Sequence, residues 1–241
     1  MLQFLKSYPA KRFLGLLFSN CQSLRWTTQG RILRRAANEF RRQGLRALDV
    51  GSGGGGYAIE NHLRHGTHAM LCDYSEDLLD LARRQVASTG LSQLAEFTQC
   101  SAEEMPFPDA DYDFIQCMEV LEHLHHPEKA LAEFRRVARP GARLVVSVPH
   151  PPEWFSNPEH VVEGYRMEEI VRLVEAAGWR VLRSEYCMLI LTRLVFALQQ
   201  KIRIPLPLPL NPLVALENFI PPRWRHRFLP YDVVVVAEAR P

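Results

Sequence analysis

The run Leu48-Asp49-Val50-Gly51-Ser52-Gly53-Gly54-Gly55-Gly56 ends an apolar strand pattern with an acidic residue and then a glycine loop. Glycines let the backbone take positive φ and approach a ligand where a Cβ would clash. A helix over residues 56–65 would turn its free N–H groups on the same ligand. The loop reads as a nucleotide cradle. Its spelling satisfies both G-x-G-x-x-G (Gly51, Gly53, Gly56) and G-x-G-x-G (Gly51, Gly53, Gly55), so glycine spacing alone does not choose the ligand. Asp49 does, because a carboxylate repels a pyrophosphate in a low-dielectric cleft and attracts the ammonium of an aminoacyl nucleoside. Asp73 lies 22 positions beyond Gly51, a spacing that suits acceptance of both ribose hydroxyls, and Tyr74 beside it could stack on a base. A second group of residues carries acid–base chemistry. Glu119, Glu122 and His123 stand at i, i+3 and i+4, one face of a helix if one begins there. His150 follows an apolar run, and His160 precedes Tyr165 in what reads as a lid. His123 and His150 are the leading general bases, since imidazole titrates near neutrality, with the Glu122 carboxylate as their neighbour.

The elements that must position these groups alternate in type. Apolar runs at 45–50, 67–72, 94–99, 112–118 and 142–148 are expected strands, separated by helical stretches at 56–65, 75–89 and 127–138. Such alternation means an α/β fold with a parallel sheet, right-handed crossovers and helices on both faces. Ligands in such sheets bind beyond the carboxyl ends of the strands, where Gly51, Asp73, Ser101, Glu119 and His150 all fall. A helix at 167–177, stopped by Gly178, leads to a strand at 179–186, and a last strand covers 231–239.

Between those two strands lies an insertion over about 188–230. It joins an apolar stretch (188–198), prolines at alternate positions (204–212) and the mixed run Pro221-Pro222-Arg223-Trp224-Arg225-His226-Arg227-Phe228. An excursion this long is usually a lid or binding element. It is expected to cap an apolar acceptor or to rest on a membrane surface with Trp224 and the arginines at the headgroups. The competing expectation is extra core or a dimer contact.

Asp49-x-Gly51-x-Gly53-x-Gly55 is followed in order by three further segments: Ser101-Ala102-Glu103-Glu104-Met105-Pro106-Phe107-Pro108, then 112–124, then Phe134-Arg135-Arg136-Val137-Ala138-Arg139-Pro140-Gly141. With these the chain resembles a class I S-adenosylmethionine-dependent methyltransferase, within the broad subgroup that includes the quinone-biosynthesis methyltransferases. The likeness covers residues 45–186 and the last strand. It implies a Rossmann-like, doubly wound seven-stranded sheet in the order 3-2-1-4-5-7-6, with the last strand antiparallel. It implies S-adenosyl-L-methionine as cofactor, held by Asp49, Gly51, Ser52, Gly53, Gly55, Asp73, Tyr74, Ser101, Ala102, Glu103 and Met118. The subgroup usually has Asp where Ser101 stands, so the adenine contact departs from its pattern. In some relatives a magnesium-type site occupies the positions of Glu119, Glu122 and His123, completed by a lid histidine, here His160. Methyl transfer to oxygen is expected, because Cys117-Met118-Glu119-Val120 stands where amino-group methylases carry an N-P-P-Y-like tetrad. The rival expectations are a nucleic-acid or protein methyltransferase and a non-catalytic nucleotide-binding scaffold.

Composition bounds the rest. A chain of 241 residues can bury the core of one α/β domain with additions. Its five cysteines, at 21, 72, 100, 117 and 187, form no C-x-x-C and suggest neither a disulfide framework nor a zinc knuckle. Reduced, buried thiols fit a cytoplasmic protein. The apolar run 13–18 is too short for a secretory core. Residues 1–46 hold ten Lys or Arg against one acid, a net +9 beside a net −7 for the remainder. That segment, taken as an N-terminal helical arm over 1–44, either faces an anionic partner or is a solvated helix with Ile32, Leu33, Ala36 and Phe40 turned inward. A small or lipid-linked acceptor is the expected partner, with peripheral membrane contact and no nucleic acid, since the arm has few aromatics for base stacking.

Overall fold

The computed structural model describes residues 21–152, 157–195 and 211–240. Apolar segments of the expected spacing fold into one sheet of seven strands: β1 (Arg46–Val50), β2 (His68–Asp73), β3 (Ala95–Gln99), β4 (Tyr112–Met118), β5 (Ala138–Pro149), β6 (Trp179–Cys187) and β7 (Asp232–Ala239). Their order is β3-β2-β1-β4-β5-β7-β6, which is the order the resemblance implies. β1 to β5 are mutually parallel. β7 runs antiparallel to both β5 and β6.

Every residue of β4 is buried, as befits a central parallel strand covered on both faces. Alternate side chains serve opposite layers. Leu48, Ile115 and Cys117 join Phe134, Ile170 and Trp179 in one core. Ala47, Phe114 and Met118 join Ile32, Leu33 and Ile59 in the other. The helices are α1 (Cys21–Thr27), α2 (Gln29–Phe40), α3 (Gly56–Asn61), α4 (Glu76–Ala87), α5 (Pro127–Val137), α6 (Met167–Ala176) and the short α7 (Asn211–Ala215).

The helix expected over 56–65 is shorter than its pattern suggested. α3 ends at Asn61, and the chain passes through His62 into a 3-10 turn over Leu63–His65. His62 is buried with Nε2 3.0 Å from Gln116 Oε1, and burial pushes its imidazole down to about 4. A buried neutral ring tied to β4 thus ends the helix where apolar periodicity alone would continue it.

α2 buries Ile32, Leu33, Ala36 and Ala37 and leaves Arg31 and Arg35 exposed. The cations of this part of the chain meet acids of its own body: Arg35 bonds Glu39 at 2.8 Å, Arg42 reaches Asp113, and Arg46 grips Asp111 at 2.8 Å. Part of the charge asymmetry of the sequence therefore closes inside the molecule, through Arg42 and Arg46. Of the insertion, Met188, Leu189 and Val195 are buried, and 190–195 is helical. The expectations for 13–18, for 196–198 and for most of the proline run fall outside the described residues. No helix among the described residues is long and apolar enough to cross a membrane.

Candidate active site

The glycine loop joins β1 to α3. Gly51, at φ +66°, packs so closely that a Cβ would come within 2.3 Å of Val120 Cγ2. Gly53, at φ +51°, faces open space, since a Cβ there would meet nothing within 4 Å. One glycine lets the loop fold and the other leaves room for a ligand. Ser52 N–H donates to the Cys72 carbonyl at 3.0 Å, and Gly55 N–H to the Ser52 carbonyl at 2.8 Å, so the loop is held by backbone bonds.

Above the loop lies a cleft of two lobes that share Gly51, Gly53 and Glu119. One, of about 350 Å³, is lined by Asp73, Tyr74, Cys100, Ser101, Ala102 and His123 among others. The second, of about 330 Å³, is walled by Arg25, Trp26, Ser52, Tyr57 and Met118. The Asp73 carboxylate is set by two backbone donors, Gly53 N–H at 2.8 Å and Ser75 N–H at 3.0 Å, one to each oxygen. Each oxygen keeps a lone pair for a further donor, as a ribose diol requires. The N-cap of α4 is Ser75, whose hydroxyl accepts from Leu78 N–H, so Asp73 is not spent on capping. Tyr74 stands 82% exposed at the rim, which removes the alternative of a packed core tyrosine. Ser101 Oγ accepts from Glu103 N–H at 3.1 Å, and the Glu103 carboxylate accepts from His126 N–H at 3.1 Å. The serine hydroxyl thus keeps its own proton to donate, while Glu103 fixes the next loop.

Glu119 departs from the expectation of a shared helical face. It follows β4 at φ +60°, and beyond it Leu121–His123 form a 3-10 turn, so Glu119 and Glu122 point into different surroundings. Glu119 accepts from Ser147 Oγ at 2.8 Å and Gln29 Nε2 at 2.9 Å, and pairs with Arg25 at 3.0 Å. Gln29 also donates to Asp232 and accepts from Tyr57 OH at 3.1 Å. Asp232 is fully buried, and burial, with the nearby Glu119 charge, lifts its carboxyl well above the ordinary range. Burial thus disfavours the charged form of Asp232, while the Arg25 guanidinium pairs with Glu119. Arg25, Trp26, Gln29 and Asp232 were not legible as site residues, because their partners are far away in the chain.

Glu122, His123 and His160 do come together, with one ligand-capable atom from each within 4.8 Å of the others. His123 Nδ1 lies 2.9 Å from the Glu159 carbonyl. A carbonyl can only accept, so Nδ1 donates, and Nε2 is the ring nitrogen left to exchange a proton with a ligand. The rings of His123 and His160 meet edge to face at 4.7 Å. Burial, then the Glu119 charge, raises the Glu122 carboxyl well above its usual range, and neither carboxyl oxygen has a hydrogen-bond partner. His150 is not brought to the cleft. Its ring packs edge-on against Tyr186 at 5.3 Å and its N–H donates to the Tyr231 carbonyl.

Asp49 lies beneath the loop at 2% exposure and lines neither lobe. Burial pushes its carboxyl from 3.8 up to about 7. Because the folded value exceeds the unfolded one, the stability this group contributes is fully present below the unfolded value and is lost as pH rises through about 7. Asp49→Asn should therefore raise the melting temperature above that of the wild type most at about pH 8, less at about pH 5, and little below about pH 4. Melting curves whose offset stays constant across that range would discount the buried acid.

Comparison with known proteins places this geometry. Residues 48–146 match the family model described as a methyltransferase domain. The ubiquinone/menaquinone biosynthesis C-methyltransferase UbiE of Pseudomonas fluorescens is 36% identical over 107 residues, 44% of this chain and 42% of the relative. The ubiquinone biosynthesis O-methyltransferase of Hahella chejuensis is 38% identical over 105 residues, 43% of each chain. The chain thus spans less than half the length of these curated relatives. Among solved structures, the [4+2]-cyclase SpnF superposes with a TM-score of 0.65 at 22% identity, covering 87% of this chain and 80% of its own. Geranyl diphosphate methyltransferase in complex with GPP and sinefungin gives 0.64 at 15%, covering 87% and 78%. At such identities these structures establish the fold alone.

Proposed function

We propose that this chain, whose residues 48–146 match a methyltransferase-domain family model, transfers a methyl group from S-adenosylmethionine to an oxygen of a small, lipid-linked acceptor of the quinone-precursor kind. The residues present fit that cofactor. Gly53 leaves space, Asp73 keeps lone pairs for a ribose, Tyr74 offers an exposed face for a base, and Arg25 sets a cation in the second lobe. When bound, the cofactor supplies an electrophilic methyl on a cationic sulfur. The chain must then orient the acceptor and receive its proton.

The observation that carries the reading is His123. It lines the lobe that holds Asp73 and Tyr74, and with Nδ1 on the Glu159 carbonyl its other nitrogen, Nε2, lies 4.0 Å from Glu122 Oε1. A positioned base of this kind is worth two to four orders of magnitude in rate. Val120, Leu124 and Leu78 line the same lobe as His123, so its surroundings there are largely apolar. That favours a greasy acceptor. The two curated relatives differ in the atom they methylate, by their names, and a proton acceptor beside the cleft favours oxygen here. The deciding experiment supplies carbon-13-labelled S-adenosylmethionine and a prenylated catechol. Label at a methoxy carbon supports the proposal, and label found only in a methyl bonded to a ring carbon sinks its oxygen half.

A second reading rests on the orphaned carboxyl of Glu122. Glu122, His123 and His160 are a donor set that fits a divalent cation, which would lower the pKa of an acceptor hydroxyl. Glu119, engaged by Arg25, Gln29 and Ser147, is withdrawn from the set the resemblance implied. With His123 as the base, excess chelator should leave transfer unchanged. Loss of activity that returns on adding magnesium or manganese would move His123 from base to ligand.

A further inference from the structure

Most of the large apolar side chains that stand exposed among the described residues fall on 194–229, outside the cleft. Phe219 is 83% exposed, Leu229 54%, Leu216 53%, Trp224 49% and Phe228 36%. The charges of the same stretch are sorted. Its acid, Glu217, is buried and accepts from Leu189 N–H at 2.8 Å, Thr192 N–H at 3.0 Å and Thr192 Oγ1 at 2.7 Å. Arg225, expected at a headgroup, is buried as well. It pairs with Glu185 at 3.0 Å and donates to the Tyr186 and Ile220 carbonyls at 3.0 Å. Arg223 and Arg227 remain exposed, the latter 5.7 Å from the Trp224 ring centroid. The outward face over 212–229 is thus aromatic and cationic with no exposed acid, and it is fixed from behind by a buried acid and a buried arginine.

We infer that this face docks the protein on an anionic lipid bilayer, with Phe219, Trp224 and Phe228 at the acyl boundary and Arg223 and Arg227 on the headgroups. Aromatic side chains beside arginines suit the interface, where one end of the residue is apolar and the other wet. Two exposed arginines with no exposed acid in the same stretch complement an anionic surface better than a second copy of that stretch. The docking rests on the lipid-linked reading of the acceptor and adds the surface that delivers it. The inner side of the same segment also reaches the cleft. Val195 and Val214 pack with Leu24 of α1, Asn218 donates to the Thr27 carbonyl at 3.2 Å, and Arg25 and Trp26 of α1 wall the second lobe. A protein held on the bilayer by this face therefore has the wall of its cleft braced by the docked segment.

The test is flotation of the full chain with vesicles of phosphatidylcholine alone and of phosphatidylcholine mixed with phosphatidylglycerol. Wild type should float with the anionic vesicles and release as salt rises. Arg223→Glu with Arg227→Glu should weaken partitioning by at least about fivefold per site. Phe219→Ser with Trp224→Ser should abolish it at any salt, with S-adenosylhomocysteine affinity and melting temperature unchanged in both variants. Wild type that stays unbound at low salt overturns the docking, as do vesicle binding indifferent to both variants and a dimer that Phe219→Ser splits without altering flotation. Transfer to a detergent-dispersed acceptor is measured alongside. Transfer without flotation removes the docking alone, and flotation without transfer supports the docking while removing the methyl-transfer reading.

Discussion

His123→Gln should lower kcat by about two to four orders of magnitude and leave the affinity for S-adenosylhomocysteine within a few-fold of wild type. Glutamine keeps similar bulk and a polar amide in place of the ring, so the basic nitrogen is lost with little change of volume. The effect belongs in kcat, because the proton leaves the acceptor during transfer and contributes little to ground-state binding. His150→Gln is the matched control. Its ring lies against Tyr186 and lines neither lobe, so the rate should stay near wild type. A rate that falls with His150→Gln and survives His123→Gln would exchange the two assignments.

Asp73→Ala should weaken both S-adenosylmethionine and S-adenosylhomocysteine by roughly ten- to a hundredfold, about 1.5 to 3 kcal/mol for hydrogen bonds to a charged group. The same carboxylate fastens the glycine loop through Gly53 N–H at 2.8 Å, so the variant also removes one tie between the loop and β2, leaving the bond from Ser52 N–H to the Cys72 carbonyl. Both losses act on the ribose and methionyl halves alike, and the two ligands should suffer equally. Calorimetry resolves this. Unchanged affinity for both would remove Asp73 from the ribose, and a loss confined to one would move it away from their shared part.

The strands were legible because parallel strands buried on both faces leave apolar runs bounded by glycine and charge, as at Leu48 to Val50 and Tyr112 to Met118. The glycine loop and Asp73 were legible for the same local reason, since they stand at fixed offsets from a strand end. What was hidden depends on contacts remote in the chain. Gln29 touches Asp232 across 203 positions, and no local pattern marks either residue. The positive φ of Glu119 broke a helical spacing that looked sound, because Glu119 is drawn back to Ser147 of β5 and to Arg25. Arg225 reads as one of three alternating arginines, yet the buried Glu185 on β6 takes it inward. Burial also keeps Asp49 out of both lobes of the cleft and pushes its carboxyl up to about 7.

The most direct test of the central claim is incubation of the purified full chain with S-adenosylmethionine carrying a tritiated methyl group and a bacterial lipid extract, followed by organic extraction. Methyl transfer to a lipid-linked acceptor predicts label in the organic phase, a molar equivalent of S-adenosylhomocysteine, and the loss of both with His123→Gln. Label confined to the aqueous phase, from a protein that calorimetry shows to bind the cofactor, would contradict it.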